Sequence, residues 1–128
     1  MSDDDGLGRR TWAFAAGFLP DGGTGPEPEM TSRDELCFLN TGDDDAVAEV
    51  TVYHRDTEPV GPYRVTIPAR RVRHVRVNGL VDPLPVPLDQ PYAVVVHSDR
   101  PVVTQMRHMD TRQAALSVAL STGSPGSG

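Results

Sequence analysis

The alternation of side chains between residues 46 and 77 restricts this chain more than any other feature. Ala48, Val50, Val52 and His54 share one parity, and Glu49, Thr51 and Tyr53 share the other. Successive side chains of a strand point to opposite faces, so the pattern predicts a half-buried strand. Tyr63, Val65 and Ile67 then alternate with Arg64 and Thr66 in the same way. Between the two runs lies Asp56-Thr57-Glu58-Pro59-Val60-Gly61-Pro62. Proline fixes φ and removes a ladder donor, and glycine takes positive φ at little cost, so this segment predicts a turn. Pro68 breaks the second run, and Arg70 to Val77 predicts a third strand. In it Val72 lies on the even face while Val75 and Val77 lie on the odd face, which predicts a bulge near Arg73-His74.

The flanking sequence extends the same pattern. Arg10 to Ala16 predicts a first strand, with Trp12 and Phe14 on one face, and Asp34 to Asn40 a second. Between them, residues 18–30 carry Pro20, Gly22, Gly23, Gly25, Pro26 and Pro28 and predict a long loop. Thr41 to Asp45 predicts a turn. Asn78 to Pro91, with four prolines, predicts an extended crossover. Tyr92 to Ser98 predicts a strand, Ser98-Asp99-Arg100-Pro101 a turn, and Val102 to Asp110 its partner strand. Ala114 to Ser121 predicts a last strand or short helix. About eight short strands punctuated by Gly and Pro predict an all-β, single-domain β-sandwich over residues 10–121. Residues 1–9 and 122–128 are expected to be flexible, the latter through Gly-Ser-Pro-Gly-Ser-Gly.

At 128 residues the chain is one domain of ordinary size, large enough to bury a core unaided. Its formal charge is −6, which repels phosphate backbones at long range and makes nucleic acid a disfavoured partner. Cys37, the single cysteine, has no internal partner and predicts a buried thiol in a cytoplasmic protein. No apolar run approaches the roughly 20 residues that span a bilayer, and Asp3-Asp4-Asp5 carries the wrong charge for a signal peptide. A soluble, cytoplasmic protein is expected.

Chemistry is sparse. His54, His74, His97 and His108 form no close pair and have no cysteine cluster beside them, so no metal site is expected. There is no Gly-x-Ser-x-Gly nucleophile elbow. Gly22-Gly23-Thr24-Gly25 lacks the Gly-Lys-Ser/Thr that completes a phosphate loop. No cofactor and no enzymatic activity are expected. The remaining concentration of charge is arginine: Arg64, Arg70, Arg71, Arg73 and Arg76, with His74. An arginine strand cannot bury both faces unpaired. One set must meet water, carboxylates within or between subunits, or an anionic ligand or acidic partner. Arg70, Arg73 and Arg76 are the expected partner-binding residues.

Glu58-Pro59-Val60-Gly61-Pro62-Tyr63, Ile67-Pro68-Ala69-Arg70-Arg71 and His74-Val75-Arg76 resemble the sensory rhodopsin transducer family. Trp12-Ala13, Gly25-Pro26-Glu27-Pro28, Leu39-Asn40-Thr41-Gly42-Asp43, Asp82-Pro83 and Arg112-Gln113 agree in order. The resemblance implies a jelly-roll-like β-sandwich of eight strands, assembly as a homotetramer, and a non-catalytic role relaying a signal from a membrane photoreceptor. Where the family pattern has an acid before the glycine after the Trp-Ala strand, this chain has Ala16-Gly17. A small-molecule module for a sugar or organic acid is the alternative. Its expected ligand-binding residues are Trp12 and Tyr63 as stacking platforms, with Asn40, Glu58, Arg71 and His74 as polar contacts. DNA binding through the arginine segment is a third reading, opposed by the net charge.

Overall fold

The computed structural model describes residues 7–19, 33–81, 83–87, 90–110 and 117–126, with side chains left out at 33, 109, 110 and 117–122. The glycine-rich part of the loop at 20–32, the segment 111–116 and residues 1–6 lie outside the described residues. The eight strands are β1 (Arg9–Phe18), β2 (Arg33–Asn40), β3 (Ala46–His54), β4 (Val60–Ile67), β5 (Arg71–Arg76), β6 (Pro91–Asp110), β7 (Ser117–Thr122) and β8 (Ser124–Pro125). A short 3-10 turn, Val77–Gly79, follows β5. The architecture is all-β, as the alternation predicted, and the strand pairings among the described residues are antiparallel.

The strands form two sheets that share β6. In the first sheet the order is β4-β3-β6-β1-β8. In the second, β2 lies between β5 and β6, and β7 pairs with the far side of β6. The first half of β6 pairs with β1 and β3 through residues such as Val94 and Val96. The second half pairs with β2 from Val103 to Met109. The sequence predicted a turn at Ser98 to Pro101, and this expectation is corrected: the 20-residue strand runs straight through it. The register with β3 runs to Ser98 and the register with β2 begins at Val103, so β6 leaves one sheet and enters the other across Asp99 to Pro101. A proline that cannot donate to a ladder sits where no ladder bond is required.

Alternation fills the core from both sheets. Val50, Val52, Val94 and Val96 are fully buried in the first sheet, and Leu36, Phe38 and Met106 in the second. The predicted bulge in β5 is absent: Glu35↔Arg76 through Asn40↔Arg71 is one unbroken register. Val72 simply faces outward, 63% exposed, because β5 is an edge strand whose outer face is uncovered.

Residues 7–8 and 124–126, inside the segments expected to be flexible, pack onto the sheets. Leu7 N donates to Thr41 Oγ1 at 2.8 Å. Gly8 has φ 98°, and a Cβ there would lie 2.1 Å from the Val102 carbonyl oxygen, so only glycine fits. Within the tail expected to be flexible, Ser124–Pro125 pairs with Trp12 and Ala13, and Gly126 N donates to Thr11 O at 2.8 Å. β1 would otherwise be a sheet edge, and this short strand covers it.

Among the described residues, a buried hydroxyl goes against the pattern. Thr104 is fully buried on β6, and its Oγ1 has no hydrogen-bond partner. An unsatisfied hydroxyl in a core costs on the order of 1–3 kcal/mol. Thr104→Val keeps the shape and removes that cost, so urea denaturation is expected to show a stability gain of about 1 kcal/mol; a loss would show that the hydroxyl is satisfied.

Candidate functional site

The residues expected to bind a ligand do not come together. Trp12 is buried, and its Nε1 donates to Val102 O at 2.8 Å and Arg9 O at 3.1 Å. The ring fills the core and has no free face for a sugar. Asn40 is fully buried: Nδ2 donates to Asp44 O (2.9 Å) and Ile67 O (3.0 Å), and Oδ1 accepts from Gly42 N (2.9 Å). It holds the 41–45 turn against the end of β4. Tyr63 is buried and donates its hydroxyl to Leu84 O, which ties the proline-rich crossover to β4. Burial raises its phenol above the ordinary tyrosine value. Glu58, Arg71 and His74 are exposed.

The arginines divide by role. Arg70, in the turn before β5, has φ 58° and donates to Asp43 Oδ1 from Nε (3.0 Å) and Nη2 (2.5 Å). Arg71 Nη1 donates to the neighbouring Arg70 O at 3.0 Å. Arg73 has the same parity as Arg71 and lies opposite buried Phe38. Its Nη1 reaches out of the second sheet to Thr66 O on β4 at 2.7 Å. Arg73 thus caps the open side of the sandwich. Arg76 stands opposite Glu35, which Arg107 holds from the other side through Nε at 2.8 Å and through Nη2. Those bonds raise the Arg107 guanidinium above its ordinary value. Cys37, two residues further along that face, is half-buried, and its thiol is raised chiefly by burial.

Two polar groupings escaped the sequence reading. The first is Asp34, 1% exposed at the start of β2. Its Oδ1 meets His108 Nδ1 at 2.8 Å, and its Oδ2 accepts from Phe18 N at 3.1 Å and from the Tyr92 hydroxyl. One carboxylate therefore ties β1, β2 and both halves of β6. A buried carboxylate is tolerable only with such a set of donors. Tyr92 is held well above the ordinary tyrosine range, first by its burial and then by the Asp34 charge. Gly17 makes room for it: a Cβ there would lie 2.3 Å from the Tyr92 ring. No local motif marks Asp34 and His108, which are 74 residues apart.

The second grouping is a row on the outer face of the first sheet. Arg64, Glu49, His97 and Thr11 stand opposite one another on β4, β3, β6 and β1. Arg64 Nε bonds Glu49 Oε2 at 3.0 Å, and Thr11 Oγ1 lies 3.4 Å from His97 Nδ1. Arg64, Glu49 and His97, with Val47, Ser98 and Asp99, line an open basin of roughly 460 Å³. Among the described residues, no group of three metal-ligating side chains converges, and no helix is long and apolar enough to cross a membrane.

The Tyr92 bond has a consequence at high pH. Because the folded phenol is raised above its unfolded value near 10, its stabilising contribution is complete below pH 10 and is lost as pH rises beyond it, at about 1.4 kcal/mol per pH unit. The expected melting temperature therefore falls between pH 10 and 11. Tyr92→Phe is expected to melt lower than wild type at pH 7, through the lost bond to buried Asp34, but to show a shallower alkaline slope. Equal slopes would contradict the assignment.

Residues 7–124 match the sequence profile of the family described as Anabaena sensory rhodopsin transducer. The chain is similar to the solved structure of the Anabaena sensory rhodopsin transducer itself, at 51% identity and a TM-score of 0.71, over 78% of this chain and 94% of that one. It is also similar to the crystal structure of Thermotoga maritima 1070, at 30% identity and a TM-score of 0.82, over 94% of this chain and 97% of that one. No curated protein matches the sequence. The chain belongs to the Anabaena sensory rhodopsin transducer family.

Proposed function

We propose that this chain is a non-enzymatic, cytoplasmic transducer that relays the state of a sensory-rhodopsin-type membrane receptor through protein–protein contacts, as a homotetramer. The observation that carries this reading is the 51% identity to the Anabaena sensory rhodopsin transducer, across 94% of that chain. The disposition of the polar residues supports it. Asp34, Asn40, Tyr63, Tyr92 and Trp12 spend their hydrogen-bonding groups on holding strands and turns together. Arg71, Arg73 and His74 are exposed at one edge of the molecule, where another protein can meet them. Exposed Leu39 and Val72 on the outer face of the second sheet support self-association through that face.

A second reading is a small-molecule module for a sugar or carboxylate, and the basin beside Arg64, Glu49 and His97 favours it. A ligand that binds only the folded state raises the melting temperature. Thermal shifts with monosaccharides and small carboxylates are expected to appear in wild type and to vanish in Arg64→Ala. No shift at high millimolar concentration would remove this reading.

The relay itself is tested with Anabaena sensory rhodopsin in nanodiscs. Saturable binding of this chain that differs between light and dark is the expected result. Binding no greater than to empty nanodiscs would overturn the proposal.

A further inference from the structure

The edge of β5 is built for a partner of one kind. Among the described residues β5 pairs with β2 alone, so the outer row of its backbone groups faces no other strand among them. An exposed row of this kind is a template for another strand. The strand reads Arg71-Val72-Arg73-His74-Val75-Arg76, with Arg70 just before it. Residues 71 to 74 are all exposed. In a chain of net charge −6, this concentrates positive charge on a strand at an edge of the second sheet.

A second copy of β5 does not fit that edge. In full antiparallel overlap, Arg71 would face Arg76, Arg73 would face His74, and only Val72 and Val75 would match. Like charges directly opposite each other in a ladder are destabilising. Arginine on an edge is itself a common guard against such pairing. The same charges select a strand of opposite sign. With Arg71 and Arg73 exposed and Val72 and Val75 between and beyond them, the complementary antiparallel strand carries acids opposite Arg73 and Arg71 and apolar residues opposite Val75 and Val72. Arginine forks recognise carboxylates in bidentate geometry, which adds register to charge.

We infer that the edge of β5 accepts an extended acidic segment of a partner protein as an added antiparallel strand, with the pattern apolar-x-acid-apolar-acid opposite Val75 to Arg71. This rests on the relay reading and names the chemistry of its contact. It leaves the outer face of the second sheet free for self-association.

The test uses the whole chain and a fluorescent peptide containing Glu-Val-Thr-Glu-Val-Glu, read by anisotropy. Saturable binding that weakens as salt rises is expected, because exposed ion pairs are screened. Arg71→Glu is expected to weaken binding at least tenfold, and Arg71→Glu with His74→Glu to abolish it; circular dichroism checks that both variants fold. On the wild-type protein, a peptide of the same sequence with alternate backbone nitrogens methylated is expected not to bind, since it keeps every charge and loses the ladder. Equal binding of the methylated peptide would overturn strand addition. Equal binding of the peptide with Lys in place of Glu, or tighter binding of duplex DNA, would overturn the acidic-strand assignment. If receptor nanodiscs bind while the acidic peptide does not, this inference falls and the relay reading stands; if the peptide binds and the nanodiscs do not, the reverse holds.

Discussion

β6 is the constraint on which the rest of the molecule depends. Its first half is the central strand of one sheet and its second half an inner strand of the other. A strand in the middle of two sheets fixes their relative placement through backbone hydrogen bonds, before any side chain is considered. Side chains then lock the arrangement. Asp34 accepts from Tyr92 and pairs with His108, so a single buried carboxylate clamps both halves of β6 to the start of β2. Trp12 Nε1 reaches Val102 O at the crossing point itself. Any sequence that adopts this frame must supply a flexible residue at Gly8 and a small one at Gly17, because the Val102 carbonyl and the Tyr92 ring occupy the space a side chain would need.

The same frame explains where exposed chemistry can lie. Central strands spend both edges of their backbone on neighbours, so their polar side chains serve either the core or an outer face. Only the outermost strands offer backbone groups to another molecule. β8 covers one end of the first sheet, although only with two residues. On the opposite side, β4 and β5 lie next to each other across the opening of the sandwich. Arg73 bridges that opening to Thr66 O, so it carries out a structural task while leaving the outer backbone edge of β5 in place. Family membership and this placement of charge point the same way, toward recognition of another protein.

Much of this was legible in the sequence, because alternation is a local signal. Ala48, Val50 and Val52 against Glu49 and Thr51 give β3 directly, and Tyr63, Val65 and Ile67 give β4. What the sequence misplaced depends on tertiary context. Pro101 reads as a turn residue locally, yet it sits inside a strand that changes sheets. Val72 reads as a core residue in need of a bulge, yet an edge strand leaves it in water. Trp12 and Tyr63 are aromatic and can be read locally as stacking platforms; their burial and their partners, Val102 O and Leu84 O, place them in the core. Asp34 and His108 were invisible as a pair, since nothing in either neighbourhood refers to the other.

The central claim is that the molecule works through a surface at the β5 edge. Amide hydrogen exchange, measured with this chain bound to receptor nanodiscs and again with empty ones, tests it most directly. The account expects slowed exchange concentrated in residues 71–76, with the basin around Glu49 and His97 unchanged. Protection confined to the basin, or spread evenly over the chain, would contradict it.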